Sequence, residues 1–121
     1  MAMFYQLARS LEGNDEAERA AIRRELESRR RSIEGEMLTL QGELAEHRTA
    51  FENTRARLRA LHLAEGMSAE AWQEEVRAFY ECCKRADALA TLGRERDEIL
   101  RLIAPKELAA EKGIRAKAGL P

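Results

Sequence analysis

Stepping alternately by three and four from Ile22 gives Leu26, Arg29, Ile33, Met37, Leu40, Leu44, His47, Phe51, Thr54, Leu58 and Leu61, and nine of these twelve positions are large and apolar. No other feature constrains the fold as strongly. A strand buries every second residue, whereas a stripe kept at this spacing for about forty residues belongs to a helix lying against another helix. Two four-residue steps in succession, Arg29 to Ile33 to Met37, form a stutter at which supercoiling relaxes.

Local chemistry marks the ends of this helix. A short helix over 3–12, with Phe4, Leu7 and Leu11 on one side, stops at Gly13. Asn14 or Asp15 then caps a helix over 14–64, with Glu16 and Glu18 in its positively polarised first turn. Gly66 ends it and Ser68 caps the next, over 68–104. Met67 and Trp72 stand at the spacing of a hydrophobic staple around that cap. The second helix is expected to bury Trp72, Val76, Phe79, Cys83, Ala86, Ala90, Leu100 and Ile103. Pro105 breaks it, because a residue before proline is pushed out of helical geometry. A short helix over 105–112 closes at Gly113, leaving 113–121 as a tail.

Two long helices joined by a few residues fold back as an antiparallel hairpin, and folding about Gly66 pairs positions that add to roughly 133. Leu61 then faces Trp72, Phe51 faces Cys82 and Leu44 faces Leu89. The expected class is therefore all-α: a single helical domain over 1–121, built on a coiled-coil-like hairpin with short helices at both ends. Charged residues at 36% and aromatics at 5% agree with long helices. On the second helix Leu89, Leu92, Ile99, Leu100, Leu102 and Ile103 spread over an arc of roughly 160°, wider than one partner covers. Residues before Arg29 also overhang the shorter helix. A homodimer completing a larger bundle answers both needs.

The run 19–31 holds six arginines, which raises nucleic-acid binding as a possibility. From Asp15 to Glu36, however, seven acids offset those six arginines, and Glu25, Glu27 and Asp15 stand four residues before Arg29, Arg31 and Arg19. That order stabilises a helix, each pair by about 0.2–0.5 kcal/mol. A phosphate-binding arm needs excess cation. A second group, Arg48, Arg55, Arg57 and Arg59, is matched in the hairpin by Glu70, Glu74, Glu75 and Glu81, the pattern by which flanking charges align coiled coils. The net charge is −1, so no global field steers the chain to nucleic acid or to an anionic membrane.

Catalysis finds little support, since no phosphate-binding glycine loop, spaced cysteine pair or nucleophile, base and orienter set occurs. His47 shares a level of the hairpin with Cys83 and Asp87, but a histidine hydrogen-bonded to Asp87 explains it more simply than a metal does. Neither a metal, a cofactor nor a small-molecule substrate is expected. No apolar run reaches the length of a membrane span. Adjacent Cys82 and Cys83 suit reduced thiols, and the expected location is cytoplasmic.

A second stripe supplies the candidate interaction face: Gly35, Leu38, Gly42, Ala45 and Thr49, stepping by three and four on the far side of the first helix. Glycine inside an exposed helix costs about 1 kcal/mol against alanine, so two of them a heptad apart suggest close approach by another helix. Tyr80, Arg30, Arg31, Lys112, Arg115 and Lys117 are expected as exposed contacts, the last three as the uncompensated cations of the tail. The sequence thus points to a non-enzymatic interaction protein, an adaptor, chaperone or inhibitor that binds a protein partner through helical faces. The alternative is a regulator of a nucleic-acid process that uses its exposed arginines and basic tail.

Overall fold

In a computed structural model, which describes residues 15–66 and 68–119, three helices follow one another: α1 (Glu16–Glu65), α2 (Ala69–Ile103) and α3 (Pro105–Lys117). There is no strand among the described residues, and α1 and α2 pack as an antiparallel hairpin with α3 after them. The helix expected over 3–12 and Met67 of the expected staple lie outside the described residues.

The helix ends follow the local chemistry. Asp15 caps α1, its Oδ1 accepting from the backbone N–H groups of Ala17 and Glu18 at 3.0 and 3.3 Å. Gly66, at φ 86°, turns the chain out of α1, and its N–H donates to the His62 carbonyl at 2.9 Å. Ser68 caps α2 by accepting from the Ala71 N–H at 3.1 Å. Ala104, at φ −147°, separates α2 from α3, which begins on Pro105. The end of α3 corrects the expected boundary. Gly113 stays helical, and the chain leaves α3 only at Ala118 and Gly119, where φ reaches +70°. Glycine is merely a poor helix former at an interior position, and the pair Glu111 and Arg115 straddles it at 3.6 Å.

The chain forms two compact units, each built from parts of α1 and α2. Among the described residues, one comprises 15–35 and 92–119, the other 36–66 and 68–91. In the first, Leu26 and Ile33 of α1, Ile99 and Leu100 of α2 and Leu108 of α3 are buried. Leu108 shows that α3 packs within the same chain, so the wide apolar arc of α2 has its second cover in cis. Each such leucine or isoleucine contributes about 1.5–3 kcal/mol by leaving water. In the second unit Leu44 and Leu58 of α1 and Cys82 of α2 are buried.

The α1 seam runs as its period predicts: eight of the nine apolar members are buried or half-buried, and only Leu61 is exposed. The α2 side of the second unit differs from expectation. Ala71, Glu75, Ala78, Cys82, Arg85 and Leu89, each one residue before an expected member, are buried or half-buried; of the expected set Trp72, Val76, Phe79 and Ala90 are exposed, while Cys83 and Ala86 are half-buried. One residue is 100° of helix rotation. Cross-helix partners also add to 128–131 rather than to roughly 133: Arg55 with Glu75, Arg57 with Glu74, Phe51 with Phe79 and Arg85 with Glu43. Small Ala71 and Ala78 are half-buried here, and adjacent Glu74 and Glu75 reach Arg57 and Arg55 of α1.

Candidate functional site

The rotation of α2 creates the most distinctive surface of the second unit. Trp72, Val76 and Phe79, at spacings of four and three, form a ridge along α2 and are 60%, 46% and 54% exposed. With Phe51 and Glu75 they line an open groove of about 230 Å³. The rings of Phe51 and Phe79 meet with centroids 5.6 Å apart and planes tilted by 49°, an edge-inclined contact that holds the floor in shape. Arg55 lies over Phe51, 5.6 Å from its centroid, and its Nε is 3.4 Å from the Glu75 carboxylate. On the other side of Trp72 and Val76, Gln73 and Arg77 border a second hollow of about 360 Å³.

Sequence reasoning assigned Trp72, Val76 and Phe79 to the core and so missed this site. A usable signal was present: if Glu74 and Glu75 both pair across the hairpin, the middle of the seam falls on Ala71 and Ala78. The aromatic residues then stand at its edge.

The expected contacts separate into distinct groups. Tyr80 is exposed, with the Lys84 ammonium 5.8 Å from its ring centroid. Arg31, Lys112 and Lys117 are also exposed. Arg30 is a correction: it is half-buried, with Nε 3.0 Å from Glu34 and its terminal nitrogens on Glu107. The Glu107 hydrogen bond leads in raising its pKa above the ordinary arginine value. A second correction concerns Arg115, which is half-buried and paired with Glu111 on α3. The charge match of the hairpin holds in part: Arg55 and Arg57 meet Glu75 and Glu74, whereas Glu81 pairs with Lys84 and Arg85 on its own helix. Within α2, hydrogen bonds from Arg85 and Lys84 hold the Glu81 carboxyl below the usual carboxylate range.

The far stripe is open in the single chain. Gly35, Leu38, Gly42, Ala45 and Thr49 are all exposed, Leu38 by 69%. A Cβ added at Gly35 or Gly42 would meet nothing within 4 Å. His47 is half-buried, and among the described residues no group of three or more His, Cys, Asp or Glu side chains could hold a metal ion. Cys82 and Cys83 are free thiols. No described helix is long and apolar enough to cross a membrane.

No protein-family model, curated protein or solved structure matches this chain.

Proposed function

We propose that this chain is a non-enzymatic interaction module, an adaptor, chaperone or inhibitor, that docks another protein in the groove between Phe51 and the Trp72, Val76 and Phe79 ridge. One observation carries the proposal: three large apolar side chains at helical spacing stand open beside a formed groove. Leaving them in water costs free energy that a partner would recover. Tryptophan, which lines this groove, is among the residue types that dominate binding energy at protein interfaces. The free thiols accord with a cytoplasmic setting. The Leu38 stripe, made mostly of small residues, takes no part in the proposal.

The nucleic-acid alternative has less support. Within 19–31, Arg29 reaches Glu95 at 2.9 Å and Arg30 is held by Glu34 and Glu107, so these cations already have carboxylate partners. The test is in-cell photocrosslinking from Val76, replaced by a light-activated amino acid, beside the same replacement at exposed Ala109. A discrete protein adduct from position 76 that position 109 does not give is expected. Adducts only to nucleic acid, or none above the control, would sink the reading.

A further inference from the structure

We infer that the groove takes an amphipathic helix of another protein whose apolar ridge is flanked by acidic side chains. The inference rests on the docking reading above and adds the chemistry of the partner. The floor is apolar, with Phe51, Trp72, Val76 and Phe79 around the single carboxylate of Glu75, which Arg55 engages. The rim carries an excess of cations. On α1, Arg48, Glu52, Arg55 and Arg59 follow at spacings of four, three and four and so share one stripe, three cations to one acid. Arg55 shows which way that stripe faces, since it lies over Phe51. On the α2 side Arg77 stands beside Trp72 and Val76. Arg48, Arg59 and Arg77 make no ion pair with any acid among the described residues, so their charge is available to a ligand.

The ridge geometry favours a helix as the occupant. Trp72, Val76 and Phe79 form a row that fits between the side-chain rows of a second helix. Single-stranded nucleic acid fits less well: the 49° tilt of Phe51 against Phe79 gives no parallel platform for stacked bases, and Glu75 would repel phosphate. A second copy is disfavoured as well, because antiparallel two-fold packing along this ridge would set the Arg77 flank of one chain against the same flank of the other, and parallel packing would set it against the Arg55 flank.

The probe is a displayed library of helical peptides with leucines fixed at i, i+4 and i+7 and randomised neighbours, selected against the full chain. Enriched peptides are expected to carry Glu or Asp beside the leucines. A synthetic winner should bind at least about tenfold more tightly than its counterpart with lysines in place of the acids, with the gap narrowing as salt rises. It should also shift the emission of Trp72, the sole tryptophan, to shorter wavelength. Phe79→Ser, at an exposed position, should abolish that binding while far-UV circular dichroism stays unchanged.

Neutral or basic winners that still shift Trp72 and still require Phe79 would overturn the acidic chemistry and leave the docking reading standing. No enrichment, or binding indifferent to Phe79→Ser, would overturn the acidic-helix proposal, and the docking reading would then stand or fall on the crosslink at position 76. Either a doubled solution mass that Phe79→Ser abolishes or oligothymidylate binding that produces the same Trp72 shift would also reject the proposal, in favour of a second copy or of nucleic acid respectively.

Discussion

Arg96 of α2 grips Glu111 of α3 through both terminal nitrogens, at 2.9 and 2.8 Å, while its Nε bonds Glu34 of α1 at 3.1 Å. One guanidinium thus ties all three helices of the first unit. The planar fork of arginine presents donors along two edges, a geometry that the point charge of lysine cannot reproduce. Arg96→Ala is expected to destabilise the chain by about 1–2 kcal/mol, discounted because both carboxylates retain contact with water. Urea unfolding measures this, and a cycle with Glu111→Gln isolates the pair. A coupling energy near zero would show the bond to be incidental.

The same pair makes stability depend on acid. The Arg96 hydrogen bond leads in holding the Glu111 carboxyl below its ordinary pKa of 4.5. A group whose folded value is depressed contributes stability that is complete above its unfolded value and is lost as pH falls through the folded one. The stability difference between the wild type and Glu111→Gln should therefore be constant near neutrality and shrink below about pH 4.5. A difference that stayed flat to pH 2 would contradict the assignment.

Burial separates two groups of apolar residues that look alike in the sequence. Ile99 is fully buried, and Ile99→Ala should cost about 2–5 kcal/mol in thermal or urea unfolding. Val76→Ala, at the open ridge, should cost less than about 1 kcal/mol. Comparable losses at the two sites would mean that the ridge is covered in the free protein.

The glycines should respond in opposite directions. Gly42 sits within α1 with open space around it, so Gly42→Ala should raise stability by about 1 kcal/mol. Gly66 holds φ at 86°, where a Cβ is strained, so Gly66→Ala should lower stability by about 1–2 kcal/mol. A loss at Gly42 would reveal a close neighbour on the second stripe in solution.

Much of the fold was legible because its determinants are local. Asp15, Gly66, Ser68 and Pro105 each act on backbone groups within a few residues, and each stands at the helix end expected of it. Gly113 was misread for the converse reason: a glycine can end a helix or merely weaken one, and the choice depends on whether the turn beyond it is held. The ion pair of Glu111 with Arg115 bridges that turn, and α3 continues to Lys117.

The sequence by itself determined that the chain is helical, where each of the three described helices begins and that the two long ones return on each other, because period, caps and turn chemistry are read within a few residues. Tertiary structure decided the rotation of α2, the cover that α3 gives the first unit and therefore the site. A period of three and four occurs both at Trp72, Val76 and Phe79 and one residue earlier at Ala71, Glu75 and Ala78, so periodicity alone ranks the larger side chains inward. The cross-helix pairs of Glu74 with Arg57 and Glu75 with Arg55 accompany the other rotation, in which Ala71 and Ala78 are half-buried. Those are contacts between residues far apart in the chain, and they leave the aromatic ridge in the open.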